Sequence, residues 1–232
     1  MDKHISTQFD SELRGVSSRV LEMGGLVEAQ IRLAIESLAL MSADVALKAI
    51  ETEEAVNQFE VDIDRELSSI IARRQPTARD LRLLMAISRI TANLERVGDE
   101  AERMARMVQS ICKASQALRL PSGDLRIASD LAAKQLRKAL NAFARLDAAD
   151  CVSILREDDL IDQEFNGFVR RLITYMMEDP RTISASLDLV FIAKAIERIG
   201  DHAKNIAECV IYIVKGTDVR HSSMADIETA VK

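Results

Sequence analysis

Two nearly identical stretches of the sequence carry carboxylates four residues apart. The stretch ERVGDEAERM begins at Glu95, and ERIGDHAKNI begins at Glu197. Side chains four residues apart lie one turn apart on the same face of a helix. Glu95 is therefore next to Asp99, and Glu197 is next to Asp201. Because two carboxylates at this spacing repel each other, by some tenths of a kcal/mol (roughly) in an isolated helix, a bound cation would stabilise each pair.

Each stretch also places a glycine in the middle of a helix. Gly98 and Gly200 each cost about 1 kcal/mol relative to alanine at such a position. A residue without a side chain lets another group approach the backbone closely, here beside the acids. His202 is either a further ligand or a solvated or capping histidine. The two glycines favour the interpretation that these acids form a binding site over the interpretation that they are only solvated.

A matching pair of polar positions occurs in the preceding helix of each half. Glu53 and Asn57 are four residues apart, and so are Asp158 and Asp162, at an offset of 105 residues (53 to 158). Helices joined by a short turn pack as antiparallel neighbours, so each pair should face the following helix across a groove. Oxygen ligands there would suit a divalent or trivalent cation such as Mg²⁺, Mn²⁺, Fe or Zn²⁺. The predicted metal ligands are Glu53, Asn57, Glu95, Asp99, Asp158, Asp162, Glu197 and Asp201.

The alternative interpretation is that these acids are solvated on the outer faces of helices. Glu102 and Arg106 have the spacing of an ordinary ion pair. Glu60 extends the acidic flank of the first half, but its equivalent in the second half is Phe165, so Glu60 is interpreted as a surface residue. No P-loop, GxGxxG or HExxH motif is present, so we predict that the chain has no catalytic residues.

The elements that position these residues are predicted to be helices. Apolar residues make up 48% of the 232-residue chain, but aromatic residues make up only 3%, and there are eight Gly and three Pro. A core of Leu, Ile, Val, Ala and Met suits helix packing, and so few Gly and Pro leave little material for the turns of a β protein. The fold class is therefore all-α.

The apolar residues recur with a period of about 3.5 residues in two long segments, one in each half. The pattern over Ile87 to Ile111 repeats at an offset of 102 residues (95 to 197), which is typical of long helices in a bundle. We expect six long helices in two tandem, pseudo-symmetric three-helix bundles. The predicted helices cover 7–41, 43–74, 77–115, 122–149, 151–179 and 182–215. The predicted units are a first repeat at 1–116, a linker at 117–123, a second repeat at 124–216 and a loosely held tail at 217–232.

Charge and composition exclude several classes of protein. The net charge is −6, which argues against a nucleic-acid partner. Three cysteines far apart in the sequence indicate neither a disulfide framework nor a zinc motif. The first residues are polar, and no apolar run approaches the ~20 residues that a membrane-spanning helix needs. We therefore expect a cytoplasmic protein that does not itself span a membrane.

Four stretches of the sequence together carry a family resemblance that extends over essentially the whole chain: in order, they are QFDSELRGVSSRVLEMGGLVEAQI, RRQPTARDLRLLM, LERVGDEAERMA and IERIGDHAKNIAECVIYIVKG. With these stretches the sequence resembles the PhoU family of phosphate-signalling regulators. This resemblance implies two symmetric three-helix bundles, a homodimer, and metal clusters bound by (E/D)xxxD motifs. The counterparts of those motifs are the eight residues named above. Asn57 departs from the acidic pattern, so the second site is expected to bind metal more tightly.

The resemblance also implies a non-enzymatic function. Such proteins act in the cytoplasm between the ATPase of the phosphate-specific ABC transporter and a membrane-bound sensor histidine kinase of the phosphate two-component system. They repress the phosphate-starvation response when phosphate is plentiful, and they restrain uptake. Two alternatives stay open: a metal-dependent enzyme acting on phosphate compounds, and a purely structural helical scaffold.

Overall fold

The computed structural model describes residues 7–114 and 120–232, and within them it contains helices and no strand, which confirms the all-α prediction. These described residues form seven α-helices. In chain order they are α1 (Thr7–Leu40), α2 (Ala43–Arg74), α3 (Ala78–Ala114), α4 (Arg126–Arg145), α5 (Ala148–Glu178), α6 (Ile183–Lys215) and α7 (Met224–Val231). Two short 3₁₀ turns, Ser122–Leu125 and Pro180–Thr182, precede α4 and α6.

The six long helices form the two predicted bundles. Helices α1, α2 and α3 pack against one another, as do α4, α5 and α6. The predicted apolar stripes of α3 and α6 are buried, including Leu94 and Val97 in α3 and Ile196 and Ile199 in α6. Burial of such a stripe on each helix supplies most of the stability that the helices lack in isolation.

An antiparallel pair of helices, α3 and α6, joins the two bundles. Near the start of α3, the guanidinium of Arg89 lies over the ring of Tyr212, 5.5 Å from its centroid. Further along α3, Glu100 Oε1 lies 2.9 Å from Arg198 Nε. Residue numbers thus rise along α3 as they fall along α6. Helices α1 and α4 also contact each other, so the two bundles share one continuous core.

The turn between α4 and α5 comes earlier than the sequence predicted. Helix α4 ends at Arg145, and Leu146 adopts a left-handed conformation with φ of 52°. Asp147 then caps α5, because its Oδ1 accepts hydrogen bonds from the backbone N–H groups of Ala149, at 3.0 Å, and Asp150, at 3.2 Å. An acidic N-cap of this kind fixes the start of a helix, and the apolar pattern alone does not locate it.

The C-terminal tail differs from the loosely held segment that the sequence predicted. It folds back so that α7 packs against α5 and α6. Ile227 is buried on that side, and Glu228 pairs with Arg156 of α5. A helix of only eight residues gives a weak periodic signal, which explains why the apolar pattern missed this element.

The predicted linker lies partly outside the described residues. Residues 117–119 of the linker, and residues 1–6 and 115–116 of the predicted first repeat, are not among them. After Leu120 and Pro121, the 3₁₀ turn leads directly into α4. No helix in the described part of the chain is both long enough and apolar enough to span a membrane.

Candidate functional site

The first pair of predicted ligands lies on the outward face of α3. The side chains of Glu95 and Asp99 are 17% and 37% exposed. Arg96 lies between them, with its Nε 3.3 Å from Glu95 Oε2 and its Nη1 3.2 Å from Asp99 Oδ2. Burial, and then the charge of Asp99, raise the pKa of Glu95 above its usual value. The two acids are therefore neighbours that share one basic side chain, and they repel each other as the sequence predicted.

The equivalent pair in the second bundle has a different counterion. Glu197, which is mostly buried, accepts a hydrogen bond from Lys194 Nζ at 2.6 Å. Asp201 is at the surface, but desolvation by the helices around it raises its pKa to about 6, and the charges of Glu197, Asp158 and Asp162 act in the same direction. The structure thus brings the acids of α5 and α6 together in one groove.

The inner acids of the two grooves point toward the interior of the bundles. Glu53 and Asp158 are each 6% exposed, whereas Asn57 and Asp162 are exposed on the same helices. The reason is visible in the spacing of Ala49, Glu53 and Val56, which follows the buried stripe of α2 at steps of four and three. The sequence interpretation placed Glu53 with the outer acids because it considered only the spacing of polar residues.

A buried glutamine holds each inner acid, and sequence reasoning missed both glutamines. Gln30 Nε2 donates to Glu53 Oε2 at 2.8 Å, and Gln135 Nε2 lies 3.4 Å from Asp158 Oδ1. The two glutamines are 105 residues apart, the same offset that relates Glu53 to Asp158. A polar residue that recurs at this offset within an apolar stripe was the available signal.

The two helix-interior glycines let this buried polar cluster fit. A Cβ atom at Gly98 would lie 2.9 Å from Glu53 Oε2 and 3.2 Å from Gln30 Oε1. A Cβ atom at Gly200 would lie 2.7 Å from Ile161 Cδ1. Gln30 Nε2 also lies 3.3 Å from the carbonyl oxygen of Gly98. The groups that approach the glycines closely are therefore side chains of the chain itself.

The surroundings of Glu53 favour its protonated form. Burial raises the pKa of Glu53 to about 7, and the nearby charges of Asp99, Glu102 and Glu95 act in the same direction. The hydrogen bond from Gln30 opposes this shift but does not cancel it. Glu53 Oε1 is buried and has no hydrogen-bond partner among the described residues. The first groove thus concentrates negative charge around an acid that no basic side chain in the described part of the chain contacts.

The donor chemistry of the grooves fits a hard cation, although the side chains are not arranged as a formed site. Within residues 7–114 and 120–232, no three Asp, Glu, His or Cys side chains come together closely enough to hold one metal ion. The exposed carboxylates are nevertheless flexible side chains on neighbouring helices, and carboxylate oxygens are the ligands that such cations prefer. Rotation of surface side chains would be needed to bring the oxygens together.

His202 belongs to the contact between the bundles. Its Nδ1 lies 3.0 Å from Asn93 Oδ1, which also accepts a hydrogen bond from Asn205 Nδ2 at 3.1 Å. Burial, and then the charges of Arg198 and Arg96, lower the pKa of His202 to about 4. The imidazole is therefore neutral at pH 7 and helps to join α3 to α6.

Comparison with known proteins identifies the family. A family model described as the PhoU domain matches residues 20–108 and 125–210, so each bundle contains one match. The chain belongs to the PhoU family. The two PhoU matches coincide with the repeat that the offset of about a hundred residues indicated, which confirms the resemblance drawn from the sequence.

Individual PhoU proteins match this chain over most of their length. A phosphate-specific transport system accessory protein PhoU homolog from Burkholderia sp is 51% identical over 96% of this chain and 95% of that protein. The phosphate-specific transport system accessory protein PhoU from Escherichia coli (strain K12) is 46% identical over 95% of this chain and 91% of that protein.

Solved PhoU structures share the fold. The crystal structure of PhoU from Pseudomonas aeruginosa matches with a TM-score of 0.86 and 44% identity, covering 90% of this chain and 100% of that chain. The phosphate transport system regulatory protein PhoU from Streptococcus pneumoniae matches with a TM-score of 0.84 and 27% identity, covering 91% of this chain and 99% of that chain. The predicted pair of bundles is therefore the PhoU fold.

Proposed function

We propose that this PhoU chain is a non-enzymatic regulator of phosphate transport in the cytoplasm. The observation that carries the proposal is the match to accessory proteins of phosphate-specific transport over nearly the whole chain, including both repeats. The match covers both bundles, including the helices that carry the two acidic grooves. A role in phosphate transport regulation follows from this relationship.

The regulator would act between two partners. One is the ATPase of the phosphate ABC transporter, and the other is the sensor histidine kinase of the phosphate two-component system. When phosphate is plentiful, the chain would hold the kinase in its signal-off state and restrain uptake. The long helical faces, which carry many exposed charged side chains, support a function in contacting other proteins.

Metal binding at the grooves is part of this proposal. The acids on the facing helices influence each other's pKa in both bundles, which supports their use as oxygen ligands for a divalent or trivalent cation. The cation would neutralise their repulsion and fix the relative position of the paired helices. Elemental analysis of protein purified without chelator, compared with Asp201→Ala, tests whether a metal is bound at the second groove.

We also propose that the chain forms a homodimer through the end of the second bundle. Five large apolar side chains are exposed where α5 ends and α6 begins: Ile173, Met177, Ile183, Leu187 and Phe191. The first bundle also exposes apolar side chains, Leu81 and Met85, at the positions equivalent to Ile183 and Leu187 (offset 102), but it has Arg89 in place of Phe191, so the apolar surface is more extensive on the second bundle. Apolar area of this kind is commonly covered by another protein.

The dimer can be tested by light scattering during size-exclusion chromatography. The wild-type chain should have the mass of a dimer, and Phe191→Arg, which introduces the residue of the first bundle, should shift it toward the monomer. The matched variant Leu47→Arg changes another exposed apolar residue and should leave the dimer intact. A monomeric wild type, or a dimer unaffected by Phe191→Arg, would contradict this part of the proposal.

The regulatory function is tested in cells that lack the gene. Deletion should raise alkaline phosphatase when phosphate is abundant, and expression of the chain should restore repression. Pull-down with the chain, from cells grown with and without phosphate, should recover the transporter ATPase and the histidine kinase. Unchanged alkaline phosphatase in the deletion strain would rule out the proposed function.

A further inference from the structure

The tail helix α7 shows how one bundle of this chain binds a further helix. It packs against α5 and α6, and its apolar side chains Met224, Ile227 and Val231 recur at steps of three and four residues. Ile227 is buried, and Glu228 beside it pairs with Arg156 of α5. The second bundle therefore holds a short amphipathic helix that carries an acidic side chain next to its central apolar residue.

The pseudo-symmetry of the fold places an equivalent surface on the first bundle. Leu155 of α5 lines a cavity together with Ile227 of α7. At the offset of 105 residues that relates α2 to α5 (50 to 155), Leu155 corresponds to Ile50. Val152, one turn earlier in α5, corresponds to Leu47 (47 to 152). We call this part of the first bundle the α2 face, and it comprises Leu47, Ile50, Glu51 and Glu54.

The α2 face is more open than its counterpart under α7. Positions 122–129 correspond to α7 at the offset of 102 residues that relates α3 to α6 (122 to 224), but they form the 3₁₀ turn and the beginning of α4. That turn packs against α1, α4 and α5. Leu47 is 47% exposed and Ile50 is partly exposed, whereas Leu155 is 5% exposed. An apolar surface that α7 covers in the second bundle is thus accessible in the first.

The charges on α2 decide which kind of helix the α2 face can bind. Glu51 takes the position of Arg156, the residue that pairs with Glu228. Glu54 takes the position of Asp159 and keeps its negative charge, and both glutamates are exposed. A second copy's α7 would place Glu228 against Glu51, and such a contact between like charges is unfavourable. The α2 face instead matches a helix with a basic side chain at that position.

The neighbouring positions of α3 do not offset this negative charge. Glu102 takes the position of Lys204, and Arg106 takes the position of Glu208, so the two changes cancel. Arg106 Nε also donates a hydrogen bond to Glu102 Oε1 at 3.1 Å, so that these two charges neutralise each other within the chain. The negative charge that a partner would meet therefore comes from the two glutamates of α2.

We infer that the α2 face is the docking surface for a basic amphipathic helix of a partner protein. The helix places apolar side chains against Leu47 and Ile50, as α7 does in the second bundle, and a lysine or arginine against Glu51. Binding of an amphipathic helix by its apolar face is a common mode of recognition. None of the eight predicted metal ligands belongs to the α2 face. The inference rests on the proposed function, in which the chain contacts the transporter ATPase and the sensor kinase.

The experiment measures binding of the full chain to two purified probes, the transporter ATPase and the cytoplasmic part of the kinase, by biolayer interferometry. Leu47→Asp removes the apolar contact, and Glu51→Arg introduces the residue that the second bundle has at this position. Leu160→Asp is the matched control, because Leu160 is a similarly exposed leucine of α5, at 45%, and lies outside the α2 face. Circular dichroism verifies that each variant is folded.

We expect at least one probe to bind the wild-type chain. Leu47→Asp and Glu51→Arg should each weaken that binding at least about tenfold, and Leu160→Asp should leave it unchanged. Photo-crosslinking then locates the occupant, with p-benzoylphenylalanine in place of Leu47 and mass spectrometry of the cross-linked peptide. The cross-link should join position 47 to a helix of the probe that carries lysine or arginine beside its apolar stripe.

Other outcomes separate this inference from the proposed function. Equal binding by the wild type and both variants would overturn the inference and leave the proposed function intact. So would a cross-link to α7 of a second copy, and so would loss of binding in Leu47→Asp alone, because the occupant would then not be basic. If neither probe binds the wild-type chain, the inference and the proposed partners both fail. The alkaline phosphatase test is independent, since it measures repression in cells.

Discussion

Gln30 Nε2 lies 2.8 Å from Glu53 Oε2, and both side chains are buried between α1, α2 and α3. The amide group gives Glu53 one hydrogen bond but no positive charge. Three neighbouring acids add to the effect of burial, so the pKa of Glu53 rises to about 7. A carboxyl group in this setting couples the stability of the first bundle to pH.

The stability of the metal-free chain should therefore decrease as the pH rises. The folded chain keeps the proton of Glu53 between pH 4.5, its usual pKa, and about 7, whereas the unfolded chain has lost it. Because the folded state binds the extra proton, Glu53 makes the free energy of unfolding fall through this window and then level off. Glu53→Gln should be more stable than wild type at pH 8 by on the order of 3 kcal/mol. Urea unfolding at pH 5 and pH 8 measures the difference.

The control for this pH dependence is Glu54→Gln, which changes an exposed acid on the same helix. Its free energy of unfolding should follow that of the wild type at both pH values. If Glu53→Gln retains the wild-type difference between pH 5 and pH 8, Glu53 is not the group that titrates.

Alanine substitutions at two glycines should have opposite effects on stability. A Cβ atom at Gly98 would meet Glu53 Oε2 at 2.9 Å, whereas a Cβ atom at Gly25 in α1 would meet no described residue within 4 Å apart from its neighbours in the helix itself. Overpacking typically costs about 1–3 kcal/mol, and the helix propensity of alanine offsets up to about 1 kcal/mol of it. Gly98→Ala should therefore lower the free energy of unfolding by about 1–2 kcal/mol, and Gly25→Ala should raise it by about 0.5–1 kcal/mol. Thermal or urea unfolding distinguishes them, and a stabilised Gly98→Ala would show that the glycine is not required for packing.

The ion pair between Glu100 and Arg198 should contribute to the contact between the bundles. Glu100 is 4% exposed, and its carboxylate also lies 3.3 Å from Arg103 Nη1 on its own helix. Arg198→Met should destabilise the chain by about 1–2 kcal/mol, less than for a fully buried pair because Arg198 is partly exposed. In the double variant Glu100→Gln/Arg198→Met, most of that loss should be recovered. Additive effects of the two single changes would indicate that the two side chains do not interact.

The packing of α7 should depend strongly on Ile227. Ile227 is buried against the second bundle, whereas Glu228 pairs with Arg156 at the surface. Ile227→Asp should release α7, because burying an aspartate there would be unfavourable, and hydrogen exchange of α7 should then become fast. Glu228→Gln should change the exchange much less, since an exposed ion pair contributes at most about 1 kcal/mol. If the backbone amides of α7 exchange equally slowly in the wild type and in Ile227→Asp, this role of Ile227 is contradicted.

The apolar period predicted the long helices well because burial of one face is the main requirement of a bundle. It located α3 and α6 within about a residue at each end, but it placed the turn before α5 too late, since the cap by Asp147 is a local hydrogen bond. It also failed for Gln30 and Glu53, which occupy core positions of their helices although they are polar. Their burial depends on each other across two helices, and a reading of single helices cannot detect that.

The prediction of the grooves was correct about the outward position of Glu95 and Asp99, and it missed the counterions. Lys204 is separated from Asp158 by 46 residues, so no local spacing reveals the pair. Comparison of the two repeats position by position does reveal it, as a reversal of charge relative to Glu102. Differences between repeats were therefore as informative as their similarities.

The antiparallel contact of α3 with α6 has a consequence for folding. Each bundle covers part of the other where these two helices meet, from Arg89 and Tyr212 to Glu100 and Arg198, so opening of one half exposes residues of the other to water. The two repeats should therefore melt together in a single transition. Either half expressed alone would expose an apolar surface to water and would be prone to aggregate.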